Sequence, residues 1–137
     1  RETLVTMSPV PGLMKWADKA GLDTTREPFS NMRALAAYYL LSVKVANGKP
    51  LDPVARFHLG NGAKVHAIHS DADLSEKGVI QSGGAMVNYL YKLGDISANH
   101  EKFAATGHVM ANQDIHKLSD NLIPILRETI NVEPSVR

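Results

Sequence analysis

Histidine titrates near neutral pH and serine carries a hydroxyl, so these are the side chains from which proton transfer or metal binding would be built. The chain has six histidines and no cysteine, which excludes disulfides, thiolate metal sites and cysteine nucleophiles and fits a reducing compartment. His58, His66 and His69 run toward Asp71 and Asp73, and that clustering invites a metal reading. The expected backbone argues against it. Pro53 opens an extended run, 54–59 carries it, and Asn61-Gly62 supplies a two-residue turn signal. A β-hairpin over 54–69 is therefore expected. In that register His58 faces Val65 and Phe57 faces His66, so His66 points away from His58. His69 falls four residues beyond Val65, roughly 13 Å along a strand at about 3.3 Å per residue. Two ligands of one zinc cannot be that far apart, and no metal is expected; His69, Asp71 and Asp73 read as solvated loop residues.

Other motifs are no stronger. Gly83-Gly84 and Gly60-Asn61-Gly62 match neither a P-loop nor a dinucleotide fingerprint. Ser8, Ser75 and Ser82 lack the G-x-S-x-G frame of a nucleophile elbow. On residue type alone Ser8, before a proline, is a turn residue, and His58 is an ordinary hydrogen-bonded histidine.

The elements that would position these groups read as follows. Residues 3–7 are β-branched and apolar, a buried strand stopped by Ser8-Pro9-Val10-Pro11-Gly12. A short helix over 13–20 is anchored by Trp16, and 21–29 is a loop. Ser30 caps a helix in which Met32, Leu35, Ala36, Tyr39, Leu40 and Val43 recur at helical spacing. Lys49-Pro50 breaks the chain before the hairpin. A further helix starts near Ser75 or after Gly83-Gly84, with Met86, Tyr89, Leu90 and Leu93 as its apolar stripe and Val87, Asn88 and Tyr91 on a second face. Helices over 97–106 and 110–118 follow, then one capped by Ser119 or Asp120 with Pro124 in its first turn. The tail, 131–137, is expected to fray.

A chain of 137 residues is expected to form one domain, 1–137, with one core. Lys and Arg number 15 against 14 Asp and Glu, so no global field draws in nucleic acid or an anionic membrane. No window approaches the roughly 20 apolar residues of a membrane span. The first residue is Arg1, and a fragment or processed product is expected.

Longer words carry a resemblance. D-P-V-A-R-F-H-L-G-N-G-A from Asp52, then Asp73, Ser75, Gly78, Gln81, Ser82, Gly84 and Met86-Val87-Asn88-Tyr89-Leu90-Tyr91, resemble the C-terminal catalytic region of malonyl-CoA decarboxylases. The resemblance covers about 4–16 and 35–107. It implies an α+β fold, the C-terminal part of a GNAT-like αβα sandwich, making this a partial catalytic domain. The activity implied is conversion of malonyl-CoA to acetyl-CoA and carbon dioxide by a Ser/His pair, within a longer enzyme.

Ser8 in Ser8-Pro9-Val10-Pro11-Gly12 and His58 in Phe57-His58-Leu59 match that pair. Tyr91 is the third catalytic candidate and Asn88 a substrate-binding one. No cofactor is implied, because the thioester itself delocalises the electron pair left by carbon dioxide. Malonyl-CoA is the implied partner, with a homo-oligomer formed through the parent protein. A bacterial cytoplasm is the expected compartment, with mitochondrion or peroxisome as alternatives.

Three departures stand out: a helical insertion after Trp16 reduced to a loop, His69-Ser70 where many members carry Asn-Trp, and a missing segment that would clamp coenzyme A. The shortened insertion and the missing segment support an alternative, a non-catalytic acyl-CoA-binding or assembly module derived from the same fold. An acyltransferase using the same carrier is a third option.

Overall fold

Asp52-Pro53 starts a helix where a strand was expected. The Asp52 carboxylate accepts the Ala55 amide at 2.8 Å, and proline in the first turn gives up no helical hydrogen bond. Ala55 and Leu59, four residues apart, are both buried. Asn61-Gly62 then ends this helix. Gly62 has φ 93; its amide bonds the Leu59 carbonyl at 3.0 Å, and the Ala63 amide bonds the His58 carbonyl at 3.1 Å. These are the two bonds of a left-handed helix C-cap. The hairpin over 54–69 is thus a helix, a tight turn and a strand, and His58 is a helical residue.

A computed structural model describes residues 2–130. Along the chain run β1 (Thr3–Pro9), α1 (Leu13–Lys19), α2 (Met32–Ser42), α3 (Pro53–Gly60) and β2 (Lys64–His69). They are followed by α4 (Glu76–Ser82), β3 (Met86–Lys92), α5 (Ile96–Thr106) and α6 (Gln113–Thr129). The strands form one antiparallel sheet in the order β1-β3-β2, giving a mixed α/β fold. The fraying expected of 131–137 lies outside the described residues.

The central strand β3 was expected to be helical. Its side chains alternate: Val87 and Tyr89 are buried, while Met86, Asn88 and Leu90 are half-buried. Valine and tyrosine suit a strand with one face on the core, and that period of two outweighs the looser spacing of three and four. Of the two helix starts expected before it, the Ser75 cap forms, its hydroxyl accepting the Gly78 amide at 3.0 Å; α4 then ends at Gly83 with φ 60.

At the C-terminus one continuous helix replaces two. Ile115, Ser119, Leu122 and Leu126 are buried along α6 and make an unbroken stripe. Packing of that stripe outweighs the local cost of Pro124 inside the helix. Ser119 is therefore a helix-interior residue and not a cap. At α2 the cap is Asn31, not Ser30, its side chain accepting the Ala34 amide at 3.1 Å.

Residue type alone predicts a buried β1, whereas the missing segment that would precede it predicts an exposed edge over 3–7; the second holds, since Leu4, Val5 and Met7 are exposed and Ser8 is its one buried residue. It occupies a sheet edge. Directly paired residues of an antiparallel sheet share a face, so Ser8 with Val87, Thr6 with Tyr89 and Leu4 with Tyr91 point to one side. Val65 and Ile68 of β2 join that side opposite Tyr89 and Val87, and with Leu35, Tyr39, Ala55 and Leu59 they make the core. Among the described residues no helix is long and apolar enough to cross a membrane.

Candidate active site

Ser8 reaches the helix side of the sheet at the end of β1, where the chain turns through two prolines. Ser82 fixes that turn: its buried hydroxyl accepts the Val10 amide at 3.0 Å. Gly12 passes so close to Tyr39 that a Cβ would collide with the tyrosine hydroxyl. Facing this turn is the last turn of α3, which carries His58.

His58 is held on both ring nitrogens. Its Nε2 lies 3.2 Å from the Ser8 hydroxyl, and its Nδ1 lies 2.5 Å from the Tyr91 hydroxyl. The ring also stacks on Tyr89, with centroids 4.3 Å apart and planes 17° apart, while Phe57 meets it edge-on. Strand β3 thus supplies two tyrosines from one face, one beneath the imidazole and one at its rim.

Burial lowers the His58 pKa from its ordinary value and so favours the neutral imidazole. Burial raises that of Tyr91, so the phenol keeps its proton near neutral pH. A phenol donating to Nδ1 leaves the ring proton on Nε2, directed at Ser8. The Ser8 hydroxyl is then free to turn its own hydrogen to a bound oxygen. The cluster offers a proton donor and an oxyanion hydrogen-bond donor side by side.

Three of the four residues singled out from the sequence, Ser8, His58 and Tyr91, come together. Asn88 does not join them. It points to the opposite face of β3, its amide donating to the Thr6 carbonyl at 3.2 Å and its oxygen 2.6 Å from His69 Nε2. His66 is engaged elsewhere, with Asn112. Among the described residues no group of three histidine, aspartate or glutamate side chains is arranged to hold a metal ion. A separate cleft of about 210 Å³ between α2 and α6 is lined in part by Lys44, His108, His116 and Asp120, away from Ser8 and His58.

Sequence reasoning missed Tyr89 as a residue of this cluster and Asp52 as the cap that starts α3. Period-two alternation through Val87, Tyr89 and Tyr91 would have put both tyrosines on one face. Asp-Pro read as cap plus first helical residue would have placed Asp52.

Residues 21–132 match the family described as Malonyl-CoA decarboxylase C-terminal domain. The chain belongs to this family. It is 40% identical over 86 residues to the mitochondrial malonyl-CoA decarboxylase of Anser anser anser, covering 63% of this chain and 17% of that protein. The Rattus norvegicus enzyme of the same name is 40% identical over 84 residues, covering 61% and 17%.

Solved malonyl-CoA decarboxylases share the fold. That of Rhodopseudomonas palustris superposes with a TM-score of 0.76 at 40% identity, covering 85% of this chain and 33% of its own. That of Agrobacterium vitis gives 0.75 at 35% identity, covering 85% and 35%. The chain therefore spans about a sixth of the curated relatives it matches and about a third of the solved ones. His58, Tyr89, Tyr91 and Asp52 fall inside the family match, while Ser8 precedes it and is tied to the site by its bond to His58.

Proposed function

We propose that this chain carries the acid-base group of a malonyl-CoA decarboxylase and, in the natural polypeptide, converts malonyl-CoA to acetyl-CoA and carbon dioxide. The observation that carries this reading is His58 bonded to Ser8 through Nε2 at 3.2 Å and to Tyr91 through Nδ1 at 2.5 Å. Residues 1–137 would be the C-terminal part of a GNAT-like αβα sandwich, a partial catalytic domain.

In the proposed reaction the C2–C3 bond of the malonyl group breaks and carbon dioxide leaves. The bonding pair passes to C2 and, by conjugation, to the thioester oxygen. Ser8 donates its hydroxyl hydrogen to that oxygen and fixes the twist of the thioester, so that the breaking bond stands perpendicular to the thioester plane and its pair can enter the carbonyl π system. His58 gives its Nε2 proton to C2. Charge left on the imidazole is met by the Tyr91 hydroxyl at Nδ1, and a proton from water restores the ring. One proton is consumed for each carbon dioxide released. The thioester serves as the electron sink, so the proposal calls on no metal or organic cofactor.

A binding or assembly module would use the same surface without chemistry. The joining of Ser8, His58 and Tyr91 from three separate elements favours catalysis. Acetyl-CoA formation from malonyl-CoA by the natural polypeptide, compared with its His58→Gln variant, tests the proposal. Formation that disappears with His58 supports it. Formation unaffected by the substitution removes it, and binding of malonyl-CoA without turnover leaves the module reading in its place.

A further inference from the structure

After Ser8 the chain reads Pro9-Val10-Pro11, and neither proline has a backbone N–H. Val10 therefore carries the one amide of 9–11 that can donate. It donates to the Ser82 hydroxyl oxygen at 3.0 Å, across 72 residues of sequence. The Val10 carbonyl accepts the Leu13 amide at 3.1 Å, and the residue is fully buried. Both of its backbone groups are thus held, two positions past Ser8.

Ser82 is itself fixed. It is the buried last residue of α4, and its carbonyl accepts the Ala85 amide at 3.0 Å. Gly83 follows at φ 60, so close to α2 that a Cβ would lie 2.6 Å from the Met32 sulfur. Just beyond, β3 begins at Met86 and pairs Val87 with Ser8. Ser8 is therefore bracketed, by the ladder with β3 on one side and by the Val10–Ser82 bond on the other. Neither tether uses the Ser8 hydroxyl, which meets His58 Nε2 at 3.2 Å. A buried amide needs an acceptor whatever the function; the place of this one, between Ser8 and the strand that carries Tyr89 and Tyr91, gives the bond a second consequence.

We propose that Ser82 is a positioning residue for the reaction: by holding the Val10 amide it sets where the Ser8 hydroxyl stands against His58 Nε2. The inference rests on the proposed acid-base reading, in which Ser8 and His58 act together. Ser82→Ala removes the acceptor and frees the turn after Ser8. Ser82→Cys keeps a side chain of similar shape with a weaker acceptor.

The test combines kinetics of the natural polypeptide with imidazole ¹⁵N NMR of His58. It is applied to Ser82→Ala, Ser82→Cys, Ser8→Ala and the double variant Ser8→Ala with Ser82→Ala. Misplacement of a catalytic group by about 1 Å costs on the order of 100-fold. Ser82→Ala is expected to lose about 10- to 100-fold in kcat with KM within about threefold, and Ser82→Cys less. On top of Ser8→Ala the same substitution should cost little more, because the group it positions is already gone. The His58 Nε2 signal of Ser82→Ala should move toward its position in Ser8→Ala. If alanine prevents folding, the cysteine variant, alone and with Ser8→Ala, decides. Parental kcat in a folded variant, or a loss that recurs in full on top of Ser8→Ala, would overturn the proposal. A parent that releases no carbon dioxide would defeat the decarboxylase reading instead. The His58 Nε2 signal then decides for Ser82, supporting the tether if it moves and overturning it if it stays.

Discussion

Tyr91 and His58, 33 residues apart in sequence, meet at 2.5 Å between the phenol hydroxyl and Nδ1. That contact orients the imidazole and selects which nitrogen faces Ser8. Strand β3 fixes the tyrosine and the end of α3 fixes the histidine, so the bond reports the packing of helix on sheet.

Tyr91→Phe keeps the ring and removes the donor. Turnover of malonyl-CoA by the natural polypeptide should fall on the order of 10- to 100-fold, below the full effect of removing a general acid. Stability should fall by about 1 kcal/mol, the net value of one hydrogen bond. Steady-state kinetics and urea unfolding check the two effects separately.

Tyr89 gives a contrasting result. Its hydroxyl is buried and has no hydrogen-bond partner among the described residues, so Tyr89→Phe removes an unsatisfied group. Stability should stay within about 0.5 kcal/mol of the parent or rise. Tyr89→Ala, which takes away the ring beneath His58, should cost about 3–5 kcal/mol. Paired thermal melts distinguish a stacking role from a hydroxyl role.

Gly62→Ala tests the helix ending that replaces the hairpin. The residue has φ 93, and a Cβ would lie 2.6 Å from the Ile96 carbonyl oxygen. A loss of at least about 1 kcal/mol is expected, from backbone strain and that contact together. A two-residue hairpin turn would strain at the same position but would not bring Ile96 into play. Pairing Gly62→Ala with Ile96→Ala, which keeps the carbonyl but removes the Ile96 Cγ2 that would lie 2.8 Å from the new Cβ, shows how much of the cost the side chain carries.

The pH dependence of stability has a definite sign. Burial lowers the His58 pKa below its ordinary value of 6.5, and His108 moves the same way through burial and the nearby Lys102, His116 and Lys44. Between the folded and unfolded pKa values the unfolded chain binds more protons, so stability rises with pH there. The contribution is fully present above about pH 6.5 and is lost as pH falls through that window. Urea midpoints measured from pH 7.5 down to 5 should decline, and His58→Gln should flatten part of the decline.

Three of the residues that come together were legible in the sequence, Tyr89 was not, and how the chain presents them was only partly so. Ser8, His58 and Tyr91 stood out through the words that contain them, and they meet in space. Asp52-Pro53 and Asn61-Gly62 carry local signals shared by two structures. Aspartate and proline open a helix as readily as proline opens an extended run, and Asn-Gly closes a helix as well as it turns a hairpin. Only the burial of Ala55 and Leu59 on one face decides between them, and that is a tertiary fact. In 86–92 both periods are present, and the core selects the strand by taking Val87 and Tyr89. Asn88 was placed beside Tyr91 by helical spacing, and the strand puts it on the other face.

The central claim is that Ser8 and His58 act as one unit. A double-mutant cycle of Ser8→Ala and His58→Gln, followed by carbon dioxide release from malonyl-CoA by the natural polypeptide, tests it most directly. Each single substitution should lower kcat by about 10²–10⁴-fold, and the double should be little worse than the more damaging single, because groups that act together do not lose their contributions independently. Losses that multiply, or a Ser8→Ala variant with parental turnover, would contradict the account.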